Sequence, residues 1–200
     1  MTLSDFNASA LVLESWDKLY KAHKEYIAGA PRAYDEVLYE VAERIRSTKS
    51  IGKADIGSLL LWKRLRADTR WVRNLMVIPD KEVREHTCKA VEAANDLSFP
   101  VPEAAVSGRT ALSPLPGFQA GDALASALLL AAAPERMAVY DRRAQLGLER
   151  LGLQLSPARG RYGRYMELVE SIRLSASANG QVWTARDVDV ALYWLGGPMS

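Results

Sequence analysis

A single cysteine, Cys88, leaves no partner for an intramolecular disulfide, and with only His23 and His86 beside it the chain is short of ligands for a structural zinc site. His86 and Cys88 are two residues apart and face different ways on a helix, so neither a metal nor a cofactor is expected. No apolar run reaches the ~18 residues needed to cross a bilayer. The longest, Ala123 to Ala133, reads as a buried helix, and no membrane partner is expected. Strand-type alternation is nearly absent, and so are internal repeats and low-complexity tracts. The opening residues, MTLSDFNASALVLESW, carry Asp5 early and no basic flank, which is not the pattern of a secretory signal; the cytoplasm is the expected location. A net charge of +2 permits an anionic partner without demanding one.

What the chain does have is helical periodicity. With 48% hydrophobic residues over 200 positions it can bury a substantial core. Trp16, Leu19, Tyr20, His23 and Ile27 repeat at the spacing of one buried helix face, and Tyr34, Val37, Leu38, Val41 and Ile45 repeat it after Pro31. Asp80 reads as an N-cap before Val83, Thr87, Val91 and Ala94. Thr184 and Asp187 form a capping box that opens the last helix, with Val188, Ala191, Leu192 and Leu195 on its inner face. The pattern predicts an all-α protein of roughly eight to ten helices. Prolines between Pro100 and Pro116 give the only linker-like span. The chain is read as one helical domain, residues 1–200, or as two lobes divided near 98–116 with a cleft between them.

Two features carry chemistry. Basic residues cluster at Lys63, Arg64, Arg66, Arg70 and Arg73, at Arg142 and Arg143, and at Arg159, Arg161 and Arg164. They are solvated helix faces or contacts for a polyanion. The second feature is the stretch LPGFQAGDALASALLLAAAPERMAVYDRR, from Leu115 to Arg143. A turn of proline, glycine and small residues running straight into a helix presents free backbone N–H groups at a positive dipole end, which suits a phosphate. Gly117 and Gly121 allow close backbone approach. After the break at Pro134, Asp141 is placed to cap the helix that begins at Arg142.

Leu115-Pro116-Gly117, the Ala125-Ser126 pair and Asp141 fifteen residues later resemble the helix-hairpin-helix (HhH-GPD) DNA glycosylase superfamily, the 8-oxoguanine and adenine glycosylase relatives. The string PERMAVYDRR is similar to the P-x-x-x-x-V-x-D-x-R of a bacterial offshoot of that superfamily. The Trp62-Lys63-Arg64 segment and the run from Arg186 to Trp194 look like other pieces of it.

The resemblance implies a two-lobed helical fold that binds double-stranded DNA at the hairpin and takes a flipped base into the cleft. It implies DNA contacts from Gly117, Gln119, Gly121, Ser126, Arg142 and Arg143, and a pocket that includes Trp62, Lys63 and Asp189. Asp141 matches the carboxylate that supports cleavage of the N-glycosidic bond, where a fixed anion stabilises the oxocarbenium-like sugar. The lysine of bifunctional members falls at Ala123, so hydrolysis by Asp141 and water is the expected chemistry. The second hairpin glycine falls at Gln119 or at Gly121, depending on the end from which it is counted. Two other readings stay open: a non-catalytic module of the same fold that binds DNA structure or a protein partner, and a helical interaction protein without nucleic acid.

Overall fold

A helix that is apolar on every side is stable only inside the molecule, and residues Ala123–Ala132, alanine, leucine and one serine, form such a helix at the centre of the fold. The computed structural model describes residues 13–197. The N-terminal stretch read above against a secretory signal lies outside them, apart from its last four residues.

Among the described residues there are ten α-helices and no strand: α1 (Leu13–Gly29), α2 (Glu36–Thr48), α3 (Lys53–Trp62), α4 (Arg70–Met76), α5 (Asp80–Asn95), α6 (Val101–Leu112), α7 (Ala123–Ala132), α8 (Arg142–Arg150), α9 (Arg161–Ala178) and α10 (Ala185–Gly196). A single 3-10 turn, Arg32–Asp35, leads into α2. The protein is all-α. No described helix is long and apolar enough to cross a membrane.

Around α7 pack α2, α3, α5 and α6, while α10 gathers α1, α8 and α9, and α6 against α9 joins the two sets. One continuous hydrophobic cluster runs from Trp16 to Leu192. The span 98–116 is not a bare linker. Pro100 caps α6, Pro102 sits in its first turn where a missing N–H costs nothing, and Ala104, Ala105 and Leu112 are core residues.

Local expectations are met with shifts that have physical causes. The capping box of α10 forms, with the Thr184 hydroxyl accepting from the Asp187 amide and the Asp187 carboxylate accepting from Thr184. Asp80 is the first residue of α5 rather than its cap; Pro79 holds that place, and the Asp80 carboxylate instead accepts the Lys53 N–H at 2.7 Å, capping α3 from outside. Ile27 is 64% exposed although its spacing placed it on the buried face of α1; α1 meets α10 through His23, Tyr26 and Gly29 instead.

The α8–α10 contact is unusually close. A Cβ on Gly147 would lie 2.3 Å from the Leu192 carbonyl oxygen, a backbone atom that cannot turn aside. Helix propensity alone favours Gly147→Ala by about 1 kcal/mol, whereas overpacking costs about 1–3 kcal/mol. The clash wins: urea unfolding of Gly147→Ala should show a lower midpoint than wild type, and a raised midpoint would refute the close packing.

His23 Nε2 lies 3.1 Å from Asp187 Oδ1, tying α1 to α10. Burial alone would raise the Asp187 carboxyl, but hydrogen bonds from His23 and Thr184 overcome it and hold it at about 2 against an ordinary 3.8. A depressed carboxylate stabilises the fold above its unfolded value, and that contribution disappears as pH falls through the folded one. The stability difference between wild type and Asp187→Asn should therefore shrink as pH drops from about 4 to about 2. A difference that stays constant over that range would contradict the assignment.

Candidate functional site

The segment Met137–Tyr140 is neither helix nor strand and is buried, so its backbone polar groups need partners away from water. Side-chain hydroxyls supply them. Tyr162 donates to the Ala138 carbonyl at 3.0 Å, Tyr165 donates to the Val139 carbonyl at 2.9 Å, and the Ser126 hydroxyl accepts the Tyr140 N–H at 3.0 Å. Both tyrosines are fully buried, and burial pushes their hydroxyls well above the usual range, so they remain neutral donors. This clamp delivers Asp141 to the start of α8.

Asp141 uses both carboxylate oxygens. Oδ1 accepts the Ala144 N–H at 2.9 Å, which makes it the N-cap of α8. Oδ2 receives the Lys63 ammonium at 2.5 Å, with the two side chains 19% and 13% exposed. Lys63 is the residue that ends α3. Capping and pocket duty therefore coexist in one side chain.

Around this pair lies a small cavity of about 30 Å³, walled by Tyr26, Tyr34, Trp62, Tyr193, Val139 and Val190, with Arg186 and Asp189 in its lining. Arg186 bridges two carboxylates: Asp189, and Asp35 at 2.6 Å. Asp35 also accepts the Trp62 indole N–H at 3.0 Å. Burial pushes the Asp189 carboxyl up while Arg186 and Lys63 pull it back, and the two carboxylates hold the Arg186 guanidinium charged against its own burial. Lys63 and Arg186 lie 5.7 and 5.5 Å from the Trp62 ring, both in cation–π range. Tyr26 is pushed up to about 12 by burial. Three carboxylates thus surround two cations in a site with room for one or two waters.

Trp62, Lys63, Asp141 and Asp189, four of the site residues drawn from the sequence, line this one cavity. The sequence reading missed Asp35, Arg186, Tyr26, Tyr34 and Tyr193 as site residues. Arg186, Asp189 and Tyr193 stand at i, i+3 and i+7 on α10, so helical spacing from Asp189 would have found two of them. Asp35 and Tyr26 arrive through tertiary packing, which no local pattern encodes.

The hairpin residues behave differently. Ser126 is fully buried and its hydroxyl holds the 137–140 segment, which makes its side chain a positioning group. The Gln119 side chain folds back, accepting the Gly117 N–H at 3.0 Å and donating to the Leu115 carbonyl at 2.8 Å, so the Gly117 amide is satisfied within the turn. Gly117 and Gly121 both take positive φ, and Gly117 must be glycine because a Cβ would strike the Trp71 ring. Asp122, which faces the turn in sequence, is turned onto Arg109 and Arg161, with Arg109 also gripping the Phe118 and Gly121 carbonyls. In the third basic cluster Arg161 is spent on Asp122 and Arg164 on loop carbonyls. Arg142 is exposed, and Arg143 lies over the Tyr193 ring, 3.7 Å from its centroid. Position 123 is alanine, and the amine that reaches Asp141 comes from Lys63 at the end of α3.

Two other concavities exist. The larger, about 760 Å³, is an open groove beside α2, α5 and residues 131–136. Its Arg136 is already bonded to the Ala94, Asp96 and Phe99 carbonyls, and the glutamates in its lining, Glu43, Glu92 and Glu135, form no metal-type cluster. The other, about 260 Å³, joins the hairpin at Gly117 and Gly121 to Leu65, Arg66 and Trp71. Segment 62–71 thus touches both the acid pocket and the hairpin. Among the described residues no group of three or more His, Cys, Asp or Glu side chains is placed to hold a metal. Compared with family models, curated proteins and solved structures, the chain finds no match.

The Lys63–Asp141 pair can be weighed by a double-mutant cycle. Asp141→Asn keeps a capping side chain and removes the charge, while Lys63→Met removes the cation. Chemical denaturation of both singles and the double should give a coupling on the order of 1–3 kcal/mol. Additive effects would mean that the contact contributes nothing to stability.

Proposed function

We propose that the protein is a DNA-binding, glycosylase-like hydrolase that takes an extruded base into the Asp141 pocket and breaks its N-glycosidic bond. The observation that supports this most is the convergence of Trp62, Lys63, Asp141 and Asp189, picked out in sequence by a resemblance to helix-hairpin-helix glycosylases, on one aromatic, acid-rich cavity. Under this reading the fold has two lobes, α2–α7 and α1 with α8–α10. Their borders fall near 30–35 and 133–141, at the pocket, rather than near 98–116.

As the base departs with the bonding electron pair, positive charge develops at C1′ and the ring oxygen. A fixed carboxylate beside that charge lowers the barrier more than water could, since it needs no reorganisation. Water then bonds to C1′, and its proton passes by way of Asp141 to the leaving base. Trp62, Tyr26 and Tyr193 supply apolar and aromatic walls against which a base stacks. The cavity as it stands is far smaller than a base. To admit one, the walls must part, and at the mouth they are joined by weak bonds from Arg64 to the Tyr34 and Tyr193 hydroxyls, 3.5 and 3.2 Å.

The placement of the Lys63 side chain beside Asp141 in this cavity supports a second route. Lys63 gives its proton to Asp141; its amine bonds to C1′ as the base leaves with the bonding pair and takes that proton; one N–H proton of the new ammonium then passes to O4′ as the C1′–O4′ bond breaks, leaving an iminium that water later hydrolyses. The absence of a hairpin lysine does not bear on this, because the amine comes from α3.

Duplexes carrying a panel of damaged or modified bases distinguish the routes when treated with wild type, Asp141→Asn and Lys63→Met. Hydrolysis predicts alkali-labile sites with wild type and at least a hundredfold fewer, on the order expected for loss of one charge-stabilising group, with Asp141→Asn. The amine route predicts a borohydride-trapped protein–DNA adduct that vanishes in Lys63→Met. Duplex binding without base release would support a non-catalytic module, and absence of duplex binding would overturn the DNA reading altogether.

A further inference from the structure

Helix α3 ends in a Schellman arrangement: Leu65 N–H bonds to the Leu60 carbonyl and Arg64 N–H to the Leu61 carbonyl, each at 2.9 Å. The residue in Arg64's position turns left-handed and is usually glycine. Arg64 takes φ 53 there, one of two non-glycine residues with positive φ among those described. Strain of this kind persists where the surroundings hold it, and it gathers at functional sites.

What the side chain does there is informative. Its guanidinium sits 5.7 Å from the Tyr34 ring and donates to the Tyr34 and Tyr193 hydroxyls. Neither partner is an anion. On the same tyrosine, Arg143 stacks 3.7 Å from the ring centroid, and its Nε is buried without a hydrogen-bond partner. Arg64 and Arg143 make no ion pair among the described residues, and unlike Arg136, Arg150 and Arg164, which also lack one, they do not give their guanidiniums to backbone carbonyls. Two uncompensated guanidiniums are therefore held by one aromatic side chain at the mouth of the Asp141 pocket.

We propose that Arg64 and Arg143, braced on Tyr193, form a phosphate-binding seat at the mouth of that pocket. Guanidinium forks bind oxyanions in pairs of N–H···O bonds. A tetrahedral phosphate, either free or as a diester with its two non-bridging oxygens, lets each fork reach a different oxygen and so can engage both together. Identifying the phosphate as the backbone group beside an extruded nucleotide rests on the glycosylase-like reading above. The seat itself does not, since a free phosphate has the same chemistry.

The test compares wild type with Arg64→Gly and Arg143→Gln. Glycine takes the left-handed position without strain, so Arg64→Gly should melt in chloride at or above the wild-type temperature, which establishes that it is folded. Thermal melting in inorganic phosphate against chloride at matched ionic strength should show a phosphate-specific rise for wild type that is absent in both variants. Duplex DNA with a neutral abasic site, titrated from about 50 to about 200 mM salt, should lose about one unit of log–log salt slope per arginine removed. A phosphate effect lost in the variants, with no DNA binding by any protein, keeps the seat and removes the DNA reading. DNA binding with an unchanged salt slope in both variants, and no phosphate-specific rise, overturns the seat and leaves the DNA reading standing.

Discussion

The Asp141 carboxylate is the point on which the site depends. One oxygen completes the N-terminus of α8 and the other receives Lys63 from the end of α3. A single side chain therefore fixes the direction of a helix, the end of another, and the charge at the bottom of the cavity between them. Removing it opens all three at once, because a capping bond worth about 1 kcal/mol disappears and a partly buried ammonium loses its partner. The aspartate can hold this position only because the preceding segment is rigid. Three buried hydroxyls, from Ser126, Tyr162 and Tyr165, take the place of a sheet or helix partner for Tyr140, Ala138 and Val139.

Charge in this region is arranged in layers. Arg186 sits between Asp35 and Asp189, and both Lys63 and Arg186 lie against the Trp62 ring while its indole N–H reaches Asp35. Ion pairs buried to this extent return little net stability, since desolvation offsets the attraction. Their presence under an otherwise ordinary alanine- and leucine-rich core marks a region where stability was not the quantity favoured. The hairpin shows the opposite economy: Arg109 and Arg161 neutralise Asp122, and Gln119 closes the turn on itself, so the loop is held together by its own side chains.

Much of the helical fold was legible in the chain. The all-α class, the α10 capping box, the buried α7 and the cap at Asp141 follow from periodicity, propensity and a short side chain at a helix start, all of which act within a few residues. The α5 cap shifted by one residue because Asp80 was taken by α3, a contact across 27 positions of sequence. In the site, Asp141, Lys63, Trp62 and Asp189 could be nominated in advance, yet what brings them together, Arg186 bridging to Asp35 across 151 residues, could not. Ser126 shows the limit of motif reading: its position in the motif is clear, but its burial puts the hydroxyl to work on Tyr140 rather than on a ligand.

The central claim is that this acid-rich cavity favours positive charge at the sugar of an extruded nucleotide. The most direct measurement is the affinity for two duplexes that differ in one atom at an abasic position, a cationic pyrrolidine and a neutral tetrahydrofuran. A site that stabilises the oxocarbenium-like state should bind the cation at least about a hundredfold more tightly, and Asp141→Asn should erase the preference. Equal affinity of the wild-type protein for both duplexes would contradict the account.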